Sequence, residues 1–266
     1  MKSTIYKAKK SLGQNFLIDN NVLQKIIEAG DINESSEVLE IGPGTGNLTK
    51  YILNANPKKI IVIEKDNSLI SILEEKFGDK INIINDDVLK VSEQSISNNK
   101  LIVFGNLPYN ISTEILSKWI TNLKKDFWFT KLILMFQKEV ADRIIAKFNT
   151  SKYGRLSILT DWKLSVDKII DIKPSSFSPR PKIDSSLLVF YPKENFFEIK
   201  DSKNLEMITR VFFNQRRKMV KKPFNQIFNN AEKISQKLNI DLNLRPQNLS
   251  TKTYCEITKE YENLKS

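Results

Sequence analysis

The chain has 266 residues, 40% hydrophobic and 27% charged, which suits one large globular domain or a domain with a small appendage. It has no histidine and one cysteine, Cys255, which excludes imidazole catalysis, histidine- or cysteine-built metal cages and intrachain disulfides, and fits a reducing, cytoplasmic setting. A net charge of +11 favours a polyanion, either nucleic acid or an anionic membrane surface, while no apolar run reaches the ~18–20 residues of a membrane span.

The opening MKSTIYKAKK lacks the apolar core of a signal peptide, and motif-bearing sequence from about Lys9 leaves no room for a removable leader. Through residue 18 the chain carries Lys2, Lys7, Lys9 and Lys10 and no acid. Short β-branched runs follow at 37–42, 59–65, 81–86, 100–106 and 131–137, reading as buried parallel strands. Helical stretches lie between them, including 47–55 and Asn67 to Phe77, where Leu69, Ile72 and Leu73 share one face. Residues 156–172 and 185–191 read as two longer strands, separated by a Pro- and Ser-rich loop at 173–184. Strands alternating with helices predict an α/β, doubly wound, seven-stranded sheet. Beyond about residue 194 only helical spacing remains. The expected division is therefore 1–192 for the sheet domain and 193–266 for a small all-helical domain. Within the latter, 207–231 holds Arg210, Arg216, Arg217, Lys218, Lys221 and Lys222 with no acid. This is a basic, helical stretch expected to grip phosphates.

Four constellations follow strands. Glu40-Ile41-Gly42-Pro43-Gly44-Thr45-Gly46 is a glycine-rich strand-to-helix turn that lets backbone approach a ligand closely, with Gly42 and Gly44 as the contact positions. A dinucleotide site prefers glycine at position 47. Asn47 stands there, so the turn suits a nucleoside-bearing ligand without a pyrophosphate. Glu64 ends the next strand, 22 residues after Gly42, where a carboxylate accepts ribose hydroxyls. Asp86-Asp87 follows the third strand, and either could accept an adenine amine. Asn106-Leu107-Pro108-Tyr109 follows the fourth. Proline stiffens the turn, so the Asn side chain and the Leu carbonyl can together accept the two hydrogens of an exocyclic amine, and Tyr109 offers a ring to a base.

These motifs, with Gln14-Asn15-Phe16-Leu17, residues 137–141 (QKEVA), 153–157 (YGRLS), 177–185 (FSPRPKIDS), Gln215-Arg216-Arg217-Lys218 and Arg245-Pro246, resemble the rRNA adenine N6,N6-dimethyltransferases over nearly the whole chain. The resemblance is greatest to the bacterial small-subunit (16S) branch, which modifies two adjacent adenosines near the 3′ end of that RNA. It implies a Rossmann-like class I methyltransferase fold and S-adenosylmethionine as cofactor. It also implies cofactor contacts from Asn15, Leu17, Gly42, Glu64, Asp87 and Asn106, and a base-stacking role for Phe177. The implied partner is small-subunit rRNA in an assembly intermediate, met by a monomer without membrane attachment. One departure is visible: the family often has a histidine shortly before the Gln-Asn-Phe-Leu run, where this chain has Ala8-Lys9-Lys10.

An activated methyl donor needs no metal and no enzymic nucleophile. Acceptors at Asn106 and Leu107 would aim the amine lone pair, Tyr109 and Phe177 would sandwich the ring, and the methylated nitrogen is acidic enough to shed its proton without a histidine base. The rivals are a large-subunit rRNA adenine methylase, a non-catalytic nucleic-acid-binding relative, and a nicotinamide-dependent oxidoreductase. The last is disfavoured by Asn47.

Overall fold

The computed structural model describes Tyr6, Ala8, Lys9 and residues 13–265; Lys2, Lys7 and Lys10 lie outside the described residues. The first elements are β1 (Phe16–Leu17), α1 (Asn20–Gly30), β2 (Glu37–Ile41), α2 (Asn47–Asn54), β3 (Lys59–Glu64), α3 (Asn67–Phe77), β4 (Asn82–Asn85) and β5 (Leu101–Gly105). There follow α4 (Ser112–Asn122), β6 (Phe129–Gln137), α5 (Lys138–Ile144), α6 (Arg155–Lys163), β7 (Leu164–Ile172), β8 (Phe177–Ser178) and β9 (Ser185–Pro192). The remainder is helical: α7 (Ser202–Phe213), α8 (Lys221–Ile227), α9 (Ala231–Lys237) and α10 (Thr251–Lys265).

Among the described residues, seven strands form one sheet in the order β4-β3-β2-β5-β6-β9-β7, and β1 and β8 form a separate antiparallel pair. Strands β4 to β6 are mutually parallel, whereas β9 runs antiparallel to β6, from Leu132 opposite Phe190 to Gln137 opposite Ser185. Every residue of β2 and β5 is buried, as expected of strands covered on both faces. The winding reverses between β2 and β5, because β3 and β4 extend one way from β2 while β5 and β6 extend the other. Loops diverge at such a point and leave a crevice beyond the carboxyl ends of the strands. The chain is thus an α/β protein built on one doubly wound sheet.

The segment 156–172 departs from the sequence reading. It is not one strand but helix α6 followed by β7. Six of the nine α6 residues, from Ser157 to Lys163, are buried, so no polar face marks the helical period. The helix starts where the Gly154 amide donates to the Ser157 hydroxyl at 3.1 Å. The loop 173–184 also contains β8, which pairs Phe177 with Leu17 and Ser178 with Phe16.

The chain divides into two compact units. One comprises residues up to Ile115, Lys125–Ala141 and Asp167–Pro192; the other comprises Leu116–Lys124, Asp142–Val166 and everything from Lys193. The second unit thus contains α6 and its flanks in addition to the tail expected from the sequence. Within this unit α10 packs on α6 and α7. Phe212 meets Phe224 and Tyr254 edge-on, with ring centroids 5.6 and 5.4 Å apart. Lys163 is buried, and its ammonium caps the Ile120 and Leu123 carbonyls at 3.1 and 2.6 Å while lying 3.9 Å over the Trp162 ring. Burial lowers its pKa to about 8.

Candidate active site

The crevice predicted by the strand order is present: a cleft of about 240 Å³ whose wall includes Asn15, Gly42, Gly44, Glu64, Asp86, Asp87 and Asn106 through Tyr109. These residues stand after β2, β3, β4 and β5, at the carboxyl ends of four adjacent strands, and are joined by the segment that leads into β1.

The glycine turn has two distinct demands. Gly42 has φ +65°, and a Cβ placed there would meet nothing within 4 Å, so its backbone faces open space in the cleft. Gly44 has φ +59°, and a Cβ would come 2.7 Å from the Phe16 ring. Phe16 thus packs directly over the turn, and a side chain at position 44 would push that wall away. Asn47, the residue that replaces a dinucleotide-type glycine, donates from its side-chain amide to the Leu17 carbonyl at 2.7 Å. It fastens β1 to the start of α2.

Glu64 is buried and held by backbone. Its Oε1 accepts from the Lys65 and Asp66 amides, each at 2.9 Å, and its Oε2 accepts from Gly44 at 3.3 Å. A carboxylate has about four acceptor sites, so Oε2 retains capacity for a ligand hydroxyl. Burial raises the Glu64 pKa above the ordinary carboxylate value, against the three amide bonds that lower it. Glu40, the first residue of the glycine motif, is more extreme. It is 2% exposed, its Oε2 accepts from the Thr49 hydroxyl at 2.6 Å, and burial pushes its pKa to about 8.

Asp86 and Asp87 both line the cleft but are differently held. Asp87 receives the Leu89 amide at 3.0 Å and the Lys65 ammonium at 2.8 Å, and Lys65 first of all keeps its pKa low. Asp86 is exposed and accepts from the Asp87 amide at 2.7 Å.

Asn106 lines the cleft, and its Nδ2 donates to the Asn15 carbonyl at 2.7 Å. With the NH₂ end so committed, Oδ1 is the end left to accept from a ligand. Leu107 is buried, and Tyr109 is half-buried with its hydroxyl bonded to Ser185 Oγ.

Two residues fall outside this arrangement. Leu17 is 4% exposed and lines a small adjoining cavity with Glu40 and Met135 rather than the cleft. Phe177 is 1% exposed and sits in the hydrophobic core beside its strand partner Leu17. The β1–β8 pairing sets it directly behind the segment that walls the cleft.

The basic stretch also differs from its expected form. Gln215, Arg216, Arg217 and Lys218 form a turn between α7 and α8, not a helix, and Lys221 and Lys222 begin α8. The Val220 and Lys221 amides donate to the Leu244 and Leu242 carbonyls at 2.8 and 3.1 Å, which takes them out of any continuous helical ladder. Arg217, Lys218, Lys221 and Lys222 are exposed. Arg216 instead bonds Gln247 and the carbonyls of Thr150 and Ser151.

Sequence reasoning misses a latch beside Glu64. Asp66, with a side chain 1% exposed, accepts from Lys9 Nζ at 2.7 Å, the Tyr6 hydroxyl at 2.6 Å and Gln14 Nε2 at 3.2 Å. Burial alone would raise its pKa, but these bonds outweigh it and hold the group at about 2. Asp66 also caps α3 through the Ser68 amide, and that Asp-x-Ser cap is the one signal available in sequence.

The lining suits a nucleoside ligand carrying positive charge: side-chain carboxylates that accept hydroxyl and amine hydrogens, apolar walls at Ile63, Leu69 and Val88, and a glycine turn open to the backbone. Among the described residues no group of histidine, cysteine or acidic side chains could hold a metal ion, and no helix is long and apolar enough to cross a membrane.

A family model described as ribosomal RNA adenine dimethylase matches residues 5–263. The chain is 68% identical over 259 residues to the ribosomal RNA small subunit methyltransferase A of Pelagibacter ubique (strain HTCC1062), covering 97% of this chain and 98% of that protein. It is 41% identical over 266 residues to the protein of the same name from Wolbachia sp. subsp. Drosophila simulans (strain wRi), covering 98% and 96%. Among solved structures, a dimethyladenosine transferase from Plasmodium falciparum is similar with a TM-score of 0.77 and 27% identity, over 93% of this chain and 98% of that one.

Proposed function

Because the chain belongs to the ribosomal RNA adenine dimethylase family, we propose that it dimethylates N6 of two adjacent adenosines near the 3′ end of small-subunit rRNA, with S-adenosylmethionine as methyl donor. Its substrate is small-subunit rRNA in an assembly intermediate, and it acts in the cytoplasm as a monomer.

The observation that carries this reading is the committed amide of Asn106. With Nδ2 on the Asn15 carbonyl, Oδ1 is oriented as an acceptor at the cleft wall, next to the Leu107 backbone. Two acceptors bind the two hydrogens of an adenine amine and turn its lone pair toward the reacting carbon. When bound, S-adenosylmethionine supplies a methyl group already activated by its sulfonium. Glu64 would receive its ribose hydroxyls, Asp87 would receive its adenine amine, and the backbone at Gly42 and Gly44 would help to hold it. Tyr109 gives the target base a ring to rest on, with its hydroxyl tethered by Ser185. Leu17 and Phe177 act from behind, holding the Asn15–Phe16 wall in place.

The test is transfer of labelled methyl groups to small ribosomal subunits that lack the modification, with large subunits as the comparison. Dimethyladenosine in small-subunit rRNA is the expected product. Transfer to large subunits, or to neither, overturns the assignment.

A further inference from the structure

The second unit contains a cavity of about 500 Å³, roughly twice the volume of the cleft, that the methyl-transfer reading does not use. Its wall is apolar at Ile144, Leu164 and Val166, with the rings of Phe148 and Tyr153 beside them. Phe148 is 50% exposed, unusual for a phenylalanine that lines a cavity. Among the described residues, three lysines, Lys147, Lys193 and Lys252, line it against a single acid, Asp161, which is paired with Lys193 at 2.8 Å. Thr160 also lines it, 1% exposed, and its hydroxyl has no hydrogen-bond partner among the described residues. A buried hydroxyl without a partner is costly, and threonine in a helix ordinarily spends it on a carbonyl of the preceding turn. The bond that Thr160 lacks is one a ligand could supply.

The cavity is structurally continuous with the basic turn. Asn149, next to Phe148, donates its amide to the Gln247 carbonyl at 2.8 Å, and Gln247 Oε1 accepts from Arg216 at 3.3 Å. Arg216 also bonds the carbonyls of Thr150 and Ser151. One loop therefore carries Lys147 and Phe148 and is pinned by the turn that exposes Arg217 and Lys218.

We infer that this cavity receives the base of one unpaired RNA nucleotide, with the exposed ring of Phe148 against it, Thr160 bonding its edge, and Lys147 and Lys252 taking the adjoining phosphates. Aromatic contact, a polar group at depth and cations at the mouth together match a nucleotide on a strand that continues onto Arg217 and Lys218. The inference rests on the reading of the protein as an RNA-modifying enzyme. It adds a second point of base recognition, outside the reacting site.

The experiment uses the full chain and small ribosomal subunits lacking the modification and substituted with 4-thiouridine. Ultraviolet crosslinking followed by peptide mapping is expected to join a nucleotide to the peptide bearing Phe148. Phe148→Ala combined with Lys147→Glu should weaken subunit binding about tenfold, the scale of one lost base stack, with S-adenosylmethionine affinity unchanged. Thr160→Val, which keeps shape and removes the orphan hydroxyl, should weaken binding severalfold without lowering the thermal midpoint. Unchanged affinity in these variants with no such crosslink overturns the cavity assignment, even while wild-type protein methylates small subunits. Displacement of the crosslink by free uridine monophosphate at concentrations comparable to the RNA also overturns it, in favour of a mononucleotide site. If wild-type protein transfers no methyl to small subunits yet the double variant loses affinity for an unpaired RNA oligomer, the substrate reading fails and the cavity stands.

Discussion

The side-chain amide of Asn106 donates a 2.7 Å hydrogen bond to the backbone carbonyl of Asn15, 91 residues away in sequence. The bond joins the turn after β5 to the segment that walls the cleft ahead of β1, and it also decides which end of the amide faces a ligand. Asn106→Ala removes both functions. Methyl transfer should fall at least about 100-fold, the usual scale for losing a group that orients the reacting atoms, while the thermal midpoint moves little because the side chain is only half-buried. Asn106→Asp keeps an oxygen but sets a carboxylate against the Asn15 carbonyl, so it should not rescue. Transfer near the wild-type rate by a folded alanine variant would remove Asn106 from the mechanism.

Asp66 couples the amino-terminal segment to Glu64. It accepts from Tyr6, Lys9 and Gln14, and its own amide donates to Glu64 Oε1. Asp66→Asn weakens three of these contacts at once. The expected result is faster proteolysis ahead of Gly13 and about tenfold weaker S-adenosylmethionine binding, as for a lost charge-assisted network. Tyr6→Phe should give a smaller effect in the same direction. Because the Asp66 pKa is depressed from 3.8 to about 2, its contribution is complete above 3.8 and is lost as pH falls through about 2. The latch should therefore show no titration near neutrality. A change in cleavage rate between neutral pH and pH about 5 would contradict it.

The cleft is far more legible in the sequence than the second unit. Gly42, Glu64, Asp87 and Asn106 each follow a strand end, and strand ends converge by topology, so reading the strands suffices to gather them. A motif, by contrast, gives an order of residues and not a depth. Phe177 stands within one, and only its pairing with Leu17 reveals that its ring points into the core. Helix α6 reads as strand because burial of six of its nine residues erases the amphipathic period. Asp66 gives little sign of itself because its partners Tyr6 and Lys9 lie 60 and 57 residues away, at no spacing that a local pattern encodes.

Glu40 should make stability fall toward alkaline pH. Its pKa is raised from 4.5 to about 8 by burial, so the native state holds a proton that the unfolded chain releases. The stabilisation this represents is complete below 4.5 and is lost as pH rises through about 8. Glu40→Gln mimics the protonated form and can still accept from Thr49. Thermal midpoints measured from pH about 5 to about 9 should decline less in the variant than in the wild type. Parallel profiles would show that Glu40 is not the titrating group.

Phe177→Ala should behave as a core truncation. A fully buried phenylalanine replaced by alanine costs about 3–5 kcal/mol, and here the loss falls on the β1–β8 pair that backs Phe16. Cofactor binding and turnover should decline together, with a lower thermal midpoint. Phe177→Leu, which retains most of the apolar volume, should restore both. Were turnover alone to collapse in the leucine variant, with stability and cofactor binding restored, the ring would be acting on the substrate base.

The basic turn separates into residues that hold the fold and residues left exposed. Arg216 is spent on Gln247 and on the Thr150 and Ser151 carbonyls, whereas Arg217 and Lys218 are exposed beside it. Each phosphate neutralised contributes about 0.9 to the slope of log affinity against log salt on duplex nucleic acid and about 0.7 on single strands. Arg217→Glu with Lys218→Glu should therefore flatten that slope by between about 1.4 and about 1.8 if each residue meets one phosphate, leaving the thermal midpoint unchanged. Arg216→Ala should do the reverse: it should lower the midpoint by loosening the 147–151 loop, with a smaller change in slope. An unchanged slope in the double variant would make the turn a solvated face. If Arg216→Ala flattens the slope without destabilising the protein, its guanidinium leaves these carbonyls for phosphate when RNA binds.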